Sequence, residues 1–163
     1  MLNARKVAAL SLLSLTVGAP AAESFGPRHT DTEADLTARI AREHDPVKKA
    51  KYEIRLGELK LQQATDAYDR DETGPGEKLL GSYLDEMKDA WKLLKGSGRD
   101  AVRKPAGFKE LDIALREDAR RLDDLRRRVP FMDRGPLDKV MQEVNQTHAE
   151  VLTALFPAGR SKH

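Results

Sequence analysis

Asp69, Asp71, Thr73 and Glu77 place side-chain oxygens at positions 1, 3, 5 and 9 of a calcium-loop template, with Gly74 at position 6. Calcium is a hard cation that collects oxygen ligands, and the template closes on a bidentate Glu at position 12. This chain has Leu80 there. A solvated acidic turn is therefore the first expectation, and a weak calcium site at Asp69, Asp71, Thr73 and Glu77 is the alternative.

Two further residues could do chemistry from an apolar stripe. His148 falls between Val144 and Val151 on one helical line, where a lone histidine is expected to be a hydrogen-bonded boundary residue rather than a ligand or base. Asp118 shares a heptad line with Leu111 and Leu125. It is either a buried polar contact, to an arginine or to His148, or it rotates outward. A buried carboxylate can be functional, but no second carboxylate can be placed beside it from sequence.

No two histidines share a helix face at ligand spacing, so zinc is not expected. G-x-S-x-G, a glycine-rich phosphate loop and a Cys-His pair are all missing. No catalytic set and no cofactor are expected, and the chain reads as a non-enzyme. Arg120, Arg121 and Arg126 to Arg128 interleave with Asp123 and Asp124, which compensates most of that basic patch.

These groups sit in a chain whose first residues carry an address. Arg5 and Lys6 precede an apolar run from Val7 to Val17, then Gly18 and Pro20, with Ala19 and Ala21 forming an A-x-A site. That is the layout of a secretory signal peptide over residues 1–21. The run is too short for a bilayer, which needs about 20 apolar residues. Its loss removes two bases and no acid, so the formal net charge of +2 falls to zero. The basic balance then gives no reason to expect nucleic acid. Zero cysteines leave packing, not disulfides, to stabilise the exported chain.

The elements follow from period and punctuation. Residues 22–29 read as a flexible leader broken by Gly26 and Pro27. A short helix is expected next, with Thr30 and Glu33 at capping-box spacing and Leu36, Ile40 and Ala41 as its apolar face. Asp45-Pro46 caps a second helix to about Arg70, with Val47, Ala50, Ile54, Gly57, Leu61, Ala64 and Tyr68 down one side. Tyr52, Leu56 and Leu59 form a second apolar side, which is either covered by another helix or offered to a partner. Gly57 in mid-helix implies a close helix–helix approach.

Residues 71–76 read as a turn. A third helix from about Glu77 to Lys95 carries Leu80, Leu84, Met87, Trp91 and Leu94, with Tyr83 beside them. A fourth, from about Gly107 to Val129, turns Phe108, Leu111, Leu115, Leu122, Leu125 and Val129 inward. Its outer face has acids four residues before bases at Asp112–Arg116, Glu117–Arg121, Asp123–Arg127 and Asp124–Arg128. Gly135-Pro136 opens a fifth with Leu137, Val140, Val144, Val151 and Leu155.

The stretch from Asp45-Pro46-Val47-Lys48-Lys49-Ala50 through Leu56-Gly57-Glu58-Leu59-Lys60-Leu61-Gln62-Gln63-Ala64 resembles a helix of exported bacterial helical proteins without assigned activity. Over residues 45–95 the resemblance implies a helical hairpin in an exported protein. It transfers no functional residue.

The expected architecture is all-α: an antiparallel bundle of four long helices with a short leading helix over residues 30–157, and a tail over 158–163. The expected role is an exported, non-catalytic interaction or scaffold module of the bacterial cell envelope, in the periplasm or outside the cell. Its partner would be another envelope protein or a second copy. A weak metal- or small-ligand-binding envelope protein is the alternative, and an enzyme of unknown type comes third.

Overall fold

The computed structural model describes residues 31–158. The expected signal peptide, the leader, Thr30 and residues 159–163 lie outside the described residues. The described chain is all-helical: α1 (Glu33–Arg42), α2 (Pro46–Asp69), α3 (Thr73–Gly96), α4 (Phe108–Arg128), a 3-10 turn (Phe131–Asp133) and α5 (Gly135–Leu155). No strand occurs among the described residues.

Helix α1 starts two residues later than its expected cap. Thr32 rather than Thr30 is the N-cap, its hydroxyl accepting the Asp35 N–H while the Asp35 carboxylate accepts the Thr32 N–H, each at 3.2 Å. Only Leu36 of the expected apolar face is buried; Ala41 is exposed. Helix α2 starts as expected, with Asp45 Oδ1 accepting from Val47 N–H and Lys48 N–H at 2.8 and 3.1 Å.

The expected turn at 71–76 shrinks to three residues, Arg70 to Glu72. Helix α2 ends in a Schellman motif: Glu72 N–H bonds Ala67 C=O, Asp71 N–H bonds Tyr68 C=O, and Asp71 takes the left-handed position at φ 60°. Helix α3 therefore begins at Thr73, a turn earlier than the sequence suggested. Pro75 does not oppose this, because in the first turn its missing N–H would have had no partner.

Helix α2 contacts α1, α3 and α4; α5 packs on α4 and α3. Buried side chains from α2, α3, α4 and α5 join in one apolar cluster that includes Leu61, Met87, Leu115, Leu122 and Val144. Gly57 marks the close approach of α2 to α3, since a Cβ there would lie 3.0 Å from Met87 Cε. Gly107 closes the α3–α4 loop at φ +88°, where a Cβ would come within 2.5 Å of Leu94 Cδ2 and 2.9 Å of Val47 Cγ1.

Two stripes are rotated from their expected lines. In α3, Tyr83 is fully buried and Leu84 only partly. In α5, Thr147 takes the inward place between Val144 and Val151, its hydroxyl bonding the Glu143 carbonyl at 3.0 Å, and His148 moves to the rim. The outer face of α4 also differs. Of the four expected acid–base pairs only Asp123–Arg127 forms. Arg128 reaches Asp69 and Asp112 binds His148, because tertiary partners outcompete same-helix pairs that contribute only a few tenths of a kcal/mol, and Arg121 turns instead to Asp118 on its own helix.

Candidate functional site

Asp118 is the buried acid in the centre of the described body. The line that turns Leu111, Leu115, Leu122 and Leu125 inward carries it inward too, to 0% exposure. Arg121 Nη1 stands 3.7 Å from Asp118 Oδ1, one turn along the same helix, with its own side chain half exposed. Tyr83 of α3 and Glu58 of α2 complete the surroundings. The Tyr83 hydroxyl faces the carboxyl, yet neither it nor either carboxyl oxygen is in a well-formed hydrogen bond.

The electrostatics follow from that geometry. Burial pushes the Asp118 carboxyl up to about 7, and the Glu58 carboxylate adds to the rise. Arg121 and the Tyr83 hydroxyl oppose it without cancelling it. Glu58 is itself raised by burial, and the Tyr83 phenol is raised by burial and by Asp118. A carboxyl kept neutral near neutral pH could in principle pass a proton on. Here its oxygens are sealed from solvent, which leaves that proton no acceptor in the packed structure.

A second acid cluster lies where α2 meets α3. Glu53 is 6% exposed, and burial pushes its carboxyl up to about 8, with the neighbouring Glu86 carboxyl and Asp89 adding to the rise and Lys49 opposing it. Glu53 also lines an open groove of about 460 Å³ with Pro46, Lys49, Asp89, Lys92 and Leu93. The sequence reading missed this pair. A signal was available, since Glu53 falls three residues after Ala50 and four before Gly57, on the flank of the core stripe.

The singled-out acidic turn is placed differently. Asp69 pairs with Arg128, Asp71 ends α2, and Thr73 and Glu77 belong to α3. Positions 5 to 12 of the template are thus helical, which keeps the loop from wrapping an ion. Among the described residues no group of three or more His, Asp or Glu side chains is arranged to hold a metal. His148 Nε2 lies 2.8 Å from Asp112 Oδ1, so the histidine meets a different aspartate from Asp118.

Leu56 of the second face of α2 is 5% exposed, and Tyr52 and Leu59 are partly buried. Helix α1 packs on α2, tied by Lys60–Glu33 and Arg55–Asp31, with Arg39 5.8 Å over the Tyr52 ring. The most exposed of the large apolar side chains are elsewhere. Phe131 and Met132 stand 79% and 86% exposed on the 3-10 turn between α4 and α5. No helix among the described residues is long and apolar enough to cross a membrane. Compared with family models, with curated proteins and with solved structures, the chain finds no match.

Proposed function

We propose that this chain is an exported, non-catalytic interaction or scaffold module of the bacterial cell envelope, built as an antiparallel bundle of four long helices with a short leading helix. Export rests on the residues 1–21 pattern. The antiparallel arrangement is supported by ion pairs: Asp45–Arg99 brings the start of α2 to the end of α3, while Lys51–Glu110 and Asp69–Arg128 align α2 with α4, the next helix but one, at both ends.

The observation that carries the interaction reading is the Phe131–Met132 pair. Adjacent large apolar side chains on a tip are an unfavourable use of surface unless something covers them. The tip is also held in place: Arg134 Nε donates to the Val129 carbonyl at 2.9 Å, and Arg126 pairs with Asp138 across the turn. A fixed apolar knob suits docking, because little conformational freedom is lost on binding. The partner is another envelope protein or a second copy of the chain.

Capture from envelope extract tests this. Wild type should retain a partner, and Phe131→Ser combined with Met132→Ser should lose it while melting at the same temperature. Equal retention by both proteins contradicts the tip as the docking point. The protein recovered from the envelope should begin at Ala22, and full-length chain confined to the cytoplasm contradicts export.

The second reading is a small-ligand-binding envelope protein, favoured by the groove that Glu53 lines. A small molecule retained in native mass spectrometry and lost in Glu53→Gln would select it.

A further inference from the structure

We propose that Asp118, enclosed with Tyr83, Glu58 and Arg121, is a proton-operated latch that holds α4 against α2 and α3 when protonated and loosens that contact when it ionises. The position itself is the first argument. Between Leu115 and Leu122 on the inward line of α4, an aliphatic side chain would be the more stable occupant, and the chain places a carboxyl there instead.

The neighbours decide what ionisation does. From α2 the facing group is Glu58, a like charge when both are ionised; from α3 it is the Tyr83 hydroxyl; from α4 itself they are Arg121 and Glu117. Helix α5 brings Val140, Val144 and Val151 to the same core, and its His148 is held on Asp112, six residues back along α4 or about 9 Å. The counter-charge nearest to Asp118 is thus Arg121, on the rim of its own helix.

A neutral carboxyl can stay in this setting, facing the neutral Tyr83 hydroxyl. A carboxylate there meets Glu58 on one side and is drawn towards Arg121 and water on the other. Following that pull rotates the middle of α4 outward and lifts Leu115 and Leu122 from their contacts. Because both carboxyl oxygens are shut from solvent, losing the proton and opening the interface are one event. The latch works within the helical body, whatever the Phe131–Met132 tip meets.

Amide hydrogen exchange on the full mature protein tests it. Protection factors for residues 115–122 should be at least tenfold lower at about pH 8.5 than at about pH 5.5, since one unit of linked pKa shift is a factor of ten. Asp118→Asn, neutral and of the same shape, should remove the part of that change that Asp118 carries, and Asp118→Asn combined with Glu53→Gln should hold protection within about threefold across that range. Glu53→Gln, which removes the other buried acid, should keep the loss of protection in α4. Protection in wild type that does not change with pH, or an Asp118→Asn protein that keeps the wild-type change, overturns the latch. Should Asp118→Asn fail to fold, the carboxyl carbon of Asp118 in wild type is titrated by NMR. A midpoint near 7 supports the latch, and one in the ordinary aspartate range overturns it.

Discussion

Arg121 approaches Asp118 to 3.7 Å from the next turn of the same helix, so the core acid of α4 and its closest counter-charge move together. A salt bridge between two helices would pin them to each other. This one pins nothing across the interface, and the cost of ionising Asp118 falls on the packing of α4 against α2 and α3.

The pH dependence of stability follows with a definite sign. Asp118 and Glu53 are raised to about 7 and about 8 in the folded state from 3.8 and 4.5. Each contributes stability that is fully present below its unfolded value and is lost as pH rises through its folded value. Glu33, Asp45, Glu72, Glu110, Glu143 and Glu150 are lowered instead, so their contribution falls away only in stronger acid. The urea midpoint of wild type should therefore drop between about pH 5.5 and about pH 8.5, by an amount equivalent to a few kcal/mol. A midpoint that rises over this interval contradicts the assignment.

The second apolar face of α2 should behave as core at Leu56. A charge placed there by Leu56→Glu lies under α1 and should cost about 3 kcal/mol or more, while Leu59→Glu, partly exposed, should cost less. Circular dichroism melts of the two variants decide between cover and open surface. An unchanged melt for Leu56→Glu would make Tyr52, Leu56 and Leu59 a binding face.

Divalent metal should leave stability unchanged. Thr73 to Leu80 are helical and Asp69 is engaged with Arg128, so the acidic turn has no loop with which to enclose an ion. Melts with millimolar calcium and with chelator should agree within about 2 °C, as a barely occupied site adds well under 1 kcal/mol by mass action. A calcium-dependent rise of several degrees that disappears in Asp71→Ala would refute this.

Gly107 should resist substitution. An added Cβ meets both Leu94 and Val47 at a backbone angle that L side chains disfavour. Gly107→Ala is expected to lose about 2 kcal/mol or more in chemical denaturation. A stability equal to wild type would mean that the loop between α3 and α4 relaxes freely.

Periodicity alone located the long helices, because steps of three and four residues record which side of a helix is buried. It also placed Asp118 on the line of its leucines, leaving open whether it turned inward, and signalled a close helix–helix approach at Gly57, which the structure assigns to α3. Two things escaped it. The turn at 71–76 read as loop because Gly-Pro-Gly breaks helix interiors, but a first turn tolerates proline, and Asp71 could stop α2 in the conformation usually given to glycine. Side-chain partners escaped as well: whether Asp118 faces an arginine or His148, and whether Arg128 turns to Asp124 or Asp69, depends on how α4 lies on its neighbours. Glu53 was hidden for the same reason, since only the position of α3 makes Glu86 its partner.

The central claim, that an exported helical body docks through its α4–α5 tip, is tested most directly in living cells. A photo-crosslinking phenylalanine analogue replacing Phe131 leaves the core untouched, because that side chain is almost wholly exposed. On irradiation the account predicts a covalent adduct with an envelope protein or with a second copy, and no comparable adduct from the same analogue at exposed Lys92 on α3. Mature protein in the envelope that forms no adduct at position 131, or crosslinks there no more than at position 92, would contradict it.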